Sequence, residues 1–504
     1  MTADRRFFLA RTAGLRAGLA VACCVLALAC AAPARAQEQT SLIRPSLEPS
    51  PAPVAKPAFR GTYKRVGKPV RSGKSTVQKP ARGVAAVRLP GDAPLAPPVG
   101  TAPPAAKPAP ALPEVTATVR RKPVREIDPF APTGVQVGAF VLKPSLDSSA
   151  GYTTNPDQIA GTRKGSWTVR EEGAVQVDST WSRHAFSANL RGGYSDFLDA
   201  PGASRPDAEG LARLRLDVSR DTVVDLTTNG RLSTQQAGIE QPIVGSKRAL
   251  ILDYGAAAGV TETFGRLSFG LKGGIARTEY GSLALAGGTS LDQSDRNVTA
   301  FEGRLRVGYA LSPAIQPFAE TTLDHRVRDT ALDSAGFRRN SVGTAVRTGA
   351  VLAFSELLTG EISAGYGWRN YDDPRLATVG AALLDASLIW SPTALTTVTL
   401  RAGSEIAETS LTTSAGAVVH KAGFEVAHAL RRNLTITGAI EASRTDYQGA
   451  AVTEDRLAAA LKLDWKLNRT VVVRASAAHE RLQSSIPGND YTANVYLLGL
   501  RLQR

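Results

Sequence analysis

Between Glu454 and Arg481 the chain alternates strictly, and that alternation limits what it can fold into. The odd positions from Leu457 run Leu457, Ala459, Leu461, Leu463, Trp465, Leu467, while the even positions carry Lys462, Asp464 and Lys466. A period of two puts the apolar residues on one face of a strand and the charged residues on the other. After Asn468-Arg469 the pattern resumes, with Val471, Val473, Ala475 and Ala477 on one face and Val472, Arg474, Ser476 and Glu480 on the other. Two strands of about ten residues or more, joined by a tight turn, make a long antiparallel hairpin. Soluble sandwiches use strands of roughly 5–6 residues, whereas strands that cross a bilayer need about 9–11, apolar toward lipid and polar toward the lumen. The spacing therefore predicts an all-β fold, a transmembrane antiparallel β-barrel.

One grammar repeats from about Gly134 to the end: strand, short turn, strand, longer polar loop. Short turns are expected at Ser182-Arg183-His184, Ser219-Arg220-Asp221, Gly265-Arg266, Ser312-Pro313, Ser355-Glu356, Ser391-Pro392, Arg431-Arg432-Asn433 and Asn468-Arg469. Longer loops are expected near 153–164, 199–207, 236–247, 281–296, 329–339, 372–380, 410–416, 448–453 and 484–490. Seventeen connections of alternating length predict about 18 strands, with the short turns at one rim. Leu214, Leu216 and Val218 alternate with Arg213, Arg215 and Asp217, and Phe301, Leu305 and Val307 with Glu302, Arg304 and Arg306. Trp181, Phe354, Trp390 and Trp465 share lipid parity just before short turns, and Tyr194, Tyr366 and Trp368 share it near long loops. Two aromatic belts, one per interface, follow. Tyr280 and Tyr447 fall on the other parity.

What precedes the barrel is different in kind. Arg5, Arg6, Arg11 and Arg16, the apolar run Ala17–Ala32 and Ala34-Arg35-Ala36 read as an export signal over 1–36, cleaved between Ala36 and Gln37. Arg5-Arg6-Phe7-Phe8-Leu9 resembles a twin-arginine signal, but that route exports folded proteins. An apolar-faced barrel should not fold before meeting lipid. Residues 37–133 form a Pro/Ala/Lys-rich linker, expected to be disordered because it cannot bury enough apolar surface to offset chain entropy. Residues 37–128 hold 17 prolines and 16 Lys/Arg against six acids, whereas 129–504 hold 39 Lys/Arg against 38 acids. The basic excess thus belongs to signal and linker. No folded basic face with interleaved aromatics appears, so no nucleic-acid partner is expected. Cys23, Cys24 and Cys30 all lie in the signal, and a mature chain without cysteine excludes disulfide and thiolate chemistry.

No GxSxG elbow, HExxH motif or complete phosphate-loop spacing occurs, and no enzyme, cofactor or metal site is expected. His420 and His428 share a strand face but sit too far apart to ligate one metal ion. With signal, linker and barrel read, the chain resembles the β-barrel porin families of Gram-negative outer-membrane proteins. The likeness is strongest in the opening strand, GAFVLKPSLDSSAGYTTNP over 138–156. That resemblance implies a Gram-negative outer-membrane location, contact with lipid and lipopolysaccharide, and a passive channel for small hydrophilic solutes. It also implies delivery by the barrel-assembly machinery, although the chain ends Leu502-Gln503-Arg504 rather than in Phe, and it leaves oligomerisation open. Some related barrels serve exopolysaccharide export or anchoring, and a wall-tethered structural barrel is a further reading. Candidate channel-lining residues on lumen parity are Arg213, Arg215, Asp217, Glu302, Arg304, Arg306, Arg401, Glu405, Lys462, Asp464, Lys466 and Arg474. Opposed rows of such charges would set a transverse field for solutes; paired across neighbouring strands they would instead brace the wall. Lumen parity is poor in aromatics, which favours small solutes over stacked sugars.

The linker reads as a periplasmic spacer or, through its basic excess, as a tether to anionic peptidoglycan. A pull-down of residues 37–128 with purified peptidoglycan should retain the segment at low salt and release it as salt rises. No retention at low salt removes the tether.

Overall fold

The computed structural model describes residues 129–161, 164–235, 248–284, 290–355, 357–409 and 411–504. The expected signal, its cleavage site at Ala36 and Gln37, and residues 37–128 of the linker lie outside them. Eighteen long strands form the wall. Six open it: β1 (Phe140–Thr153), β2 (Ser166–Ser179), β3 (Ala185–Phe197), β4 (Arg205–Asp217), β5 (Thr222–Thr234) and β6 (Leu250–Phe264). Then come β7 (Leu267–Tyr280), β8 (Val298–Tyr309), β9 (Ile315–Arg328), β10 (Ser341–Ser355), β11 (Leu358–Tyr371) and β12 (Val379–Thr393). The last six are β13 (Thr396–Ala407), β14 (Gly416–Arg431), β15 (Leu434–Gln448), β16 (Val452–Lys466), β17 (Val471–Ser484) and β18 (Tyr491–Gln503).

Each strand pairs antiparallel with its sequence neighbours, and β1 closes on β18 from Ser145 opposite Gln503 to Thr153 opposite Val495. The sheet becomes a cylinder without an edge, which is the condition for placing a sheet in lipid, where unpaired backbone groups find no water. Close approach at this seam needs glycine. A Cβ at Gly151 would overlap the Tyr496 carbonyl, and one at Gly499 would overlap the Ser148 carbonyl. At roughly 3.3 Å per residue and a tilt of about 40°, a strand of 14 residues such as β1 climbs roughly 35 Å, more than an apolar band of about 25 Å.

The alternation maps onto the two faces as expected. Leu271, Leu305, Val346, Leu400, Leu461 and Leu498 are exposed on the outer face. Trp181, Phe354, Trp390 and Trp465 ring it near the short turns, and Tyr194, Tyr366 and Trp368 near the long loops. Tyr152 and Trp167 add an edge-to-face pair to the second belt, with centroids 5.6 Å apart.

One turn differs from expectation. The turn expected at Ser391-Pro392 lies at Ala394-Leu395, because β12 continues through a register irregularity between Trp390 and Thr393 that spares Pro392 a ladder hydrogen bond. Glu356, in another expected turn, lies outside the described residues. Residues 129–133, assigned to the linker, fall among the described residues. Arg469 Nε donates to the Pro129 carbonyl at 2.8 Å, and Val135–Val137 doubles back on Phe140–Leu142. The chain thus enters the barrel at the rim of short turns.

Lipid-facing positions should reject charge. Leu305→Arg, near the middle of β8, is expected to cost about 2–4 kcal/mol in denaturant titrations of vesicle-folded protein. A loss below about 1 kcal/mol would place Leu305 away from lipid.

Candidate functional site

Every candidate channel-lining residue lies on the parity opposite the exposed apolar row, toward the interior. They do not stand as opposed free rows, because many pair along the wall. Arg215 meets Asp217 at 2.9 Å, Lys421 meets Glu405 at 2.8 Å, and Arg474 meets Asp464 at 2.8 Å. Arg474 also reaches Asp147 on β1 at 2.7 Å, and Asp147 in turn receives Arg501 of β18 at 2.9 Å. Interior ion pairs thereby bridge the closing seam. Arg213, Lys462 and Lys466 also have partners. Arg401 stands apart, its Nε without a hydrogen-bond partner among the described residues.

The densest group spans β8 to β12. Arg306 Nε donates to Glu320 Oε2 at 2.7 Å, and its Nη2 donates to Glu361 Oε1 at 2.8 Å, with β9 and β10 lying between β8 and β11. Arg304 pairs with Glu302 at 2.7 Å and approaches Glu320 at 3.7 Å; Arg347 reaches Asp385 at 3.1 Å and Glu320 at 3.9 Å. Arg304 and Glu320 are each only 3% exposed. Arg306 also lies over the Phe318 ring, 3.8 Å from its centroid. Charges this deep persist only when paired. Glu320 and Arg347 were not among the candidates, but register could have found them. Glu320 sits directly opposite Arg306 on one side and Arg347 on the other.

Near the rim of long loops two groups of residues draw together across the wall. On one side Arg326 and Arg328 of β9 reach Glu408, beyond β13, at 2.7 and 2.9 Å. Arg339 donates to the Leu411 and Ser414 carbonyls at 3.1 and 2.9 Å. Beside them Ala345, Val379, Leu383, Ile406 and Val418 form an apolar cluster against which Leu376 and Tyr371 pack. Burial alone would raise the Glu408 carboxyl, but the guanidinium charges of Arg326, Arg328 and Arg369 outweigh it and hold the carboxyl well below its ordinary value. This clasp contributes its full stability above the usual carboxylate range and loses it only as pH falls through the depressed value.

On the other side the connection after β1 folds inward. Gln158 is 1% exposed and takes φ of 52°, the one side-chain-bearing residue at positive φ among those described. Its amide spans Glu480 of β17, at 3.1 Å, and Arg248, just before β6, at 3.0 Å.

The interior is richer in aromatic rings than expected. Phe197, Phe318, Tyr447 and Tyr491 are all on the inner parity, but they are buried in packing rather than presented as platforms. His420 and His428 stay apart, each bonded to a hydroxyl, Ser404 and Thr396 respectively, at 2.9 Å.

Removing Glu320 should leave Arg304, Arg306 and Arg347 short of a shared counter-charge. Glu320→Gln is expected to cost about 3–5 kcal/mol in urea titrations, and Asp217→Asn, in a half-exposed pair, about 0–1 kcal/mol. Equal losses would mean that the buried network adds nothing special.

Comparison with solved structures finds barrels of similar length and remote sequence. OccK3 (OpdO) of Pseudomonas aeruginosa aligns at 11% identity and a TM-score of 0.36, over 72% of this chain and 96% of that one. OccAB4 of Acinetobacter baumannii aligns at 11% and 0.36, over 73% and 99%. The copper transporter OprC aligns at 9% and 0.41, over 73% and 82%. No curated protein matches the chain. Residues 128–504, the whole barrel, match the family described as "Putative beta-barrel porin 2", and the chain belongs to that family of outer-membrane barrels.

Proposed function

We propose that this barrel is a passive channel for small hydrophilic solutes across the outer membrane. The observation that carries the reading is a closed wall of eighteen strands, apolar outside and charged inside. Barrels of about 16–18 strands are wide enough to enclose an aqueous path. Solutes would enter past the two inward-folded groups at the long-loop rim and leave by the short-turn rim, where the linker joins. Wall charges paired along the wall cancel one another at a distance, so the paired residues contribute weakly to selectivity. Selectivity then falls to cations that lack an ion pair among the described residues, such as Arg401. The candidate lining residues are thus mostly the frame of the pore. Residues 37–128 would act from the short-turn side, as a wall tether or as a cover for that opening.

Single-channel conductance in planar bilayers tests this. Full-length protein and a variant lacking residues 37–128 are both expected to conduct stably. Current only after the deletion would make the segment a plug. Silence from both, with folding confirmed by heat-modifiable gel migration, would overturn the channel.

A further inference from the structure

The mouth on the β1 side holds two arginines in an unusual state. Arg205 opens β4 and Arg248 precedes β6, and neither makes an ion pair among the described residues. Arg205 Nη1 makes only long contacts with the carbonyls of Pro156 and Ala203, at 3.4 and 3.3 Å, and its cation lies 5.1 Å from the Phe197 ring centroid. Its Nη2 is buried with no hydrogen-bond partner among the described residues. Arg248 donates to a neutral acceptor, the Gln158 side-chain carbonyl. The Glu480 carboxylate nearby is already engaged by Arg456 and by the Tyr491 hydroxyl at 2.8 Å. Asp157, on the same connection, attracts Arg248 only from beyond contact.

A half-buried guanidinium without an anion beside it is costly, and an orphaned buried N–H calls for an unseen partner. Burial holds the Arg248 guanidinium below its ordinary value, as expected for a cation short of counter-charge. The residue filling the gap is strained. Gln158 holds a left-handed backbone that a β-unbranched side chain adopts only at some cost, and such strain gathers at ligand clamps. Its amide oxygen gives Arg248 a neutral acceptor where a carboxylate would give a charged one, and Arg prefers the charged one.

We propose that Arg205 and Arg248 form a subsite for a small soluble oxyanion, a carboxylate or a phosphate, with the Gln158 amide as its built-in competitor. The anion displaces the Gln158 carbonyl from Arg248 and takes up the free Nη2 of Arg205, and the inward-folded connection relaxes as Gln158 lets go. Lipid headgroups have no access, because the site lies inside the wall beneath residues 155–159. The subsite rests on the channel reading only for the route by which its solute arrives.

Calorimetry on refolded full-length protein, titrated with acetate or inorganic phosphate against chloride at matched ionic strength, tests it without any current being measured. Saturable binding of either anion is expected. Arg248→Gln should weaken it about tenfold or more, the factor one charge-assisted hydrogen bond carries. Gln158→Gly should tighten it by relieving strain and removing the competitor. Equal affinity in wild type and Arg248→Gln, or no saturation with either anion, overturns the subsite. Arg205→Gln is a second probe where gel migration shows that it folds; Arg248, on a connection rather than in the wall, decides alone where it does not. A silent barrel that still binds acetate through Arg248 would sink the channel and keep the subsite, and a conducting barrel indifferent to both anions would do the reverse.

Discussion

Everything in this molecule depends on β1 meeting β18. In lipid a sheet edge leaves a row of N–H and C=O groups without water, each at several kcal/mol, so an open sheet of this length has no stable place there. Closure removes the edge, and the sequence supports it locally with Gly151 and Gly499, where any side chain would push the two backbones apart. Asp147, on β1, then receives Arg474 from β17 and Arg501 from β18 on the inner side. The seam is thus held by backbone ladder and by charge, and every other strand inherits its register from a cylinder that closes only one way.

Closure also decides what the two faces must be. The outer face has lipid as solvent and carries the leucines and the aromatic belts. The inner face collects the charges that alternation leaves over, and these pair with one another wherever the wall curves them together. Arg306 can reach across two strands to Glu361 because inward side chains converge on a concave surface. A pattern that reads in one dimension as a row of charges becomes, in the closed cylinder, a network braced across strands.

How much of this was legible follows from the range of each interaction. Strand number, strand length, the belts and nearly all the turns are properties of contiguous residues, and the period of two displays them directly. Ser391-Pro392 misled because proline marks a turn only when the ladder needs its missing N–H, and the register break beside Trp390 removes that need. The inner ion pairs were half legible. Arg304, Arg306 and Glu302 show themselves by parity, while Glu320 and Arg347 emerge only once register places them opposite. The inward fold of residues 155–159 was not legible at all. Gln158 meets partners hundreds of residues further on or in the connection before β6, and no periodicity encodes such a contact.

The placing of such contacts bears on how the pore would work. A wall whose charges are mutually satisfied offers a passing solute little net field, since paired opposite charges cancel within a few ångströms. Discrimination must then come from places where pairing fails, whether within the ladder, as at Arg401, or where chain connections bring residues together. Arg205 and Arg248 are such a place, one at the first residue of a strand and the other just outside one. The wall is close to neutral because its charges pair, and the sites that can recognise a solute are the few where that pairing fails.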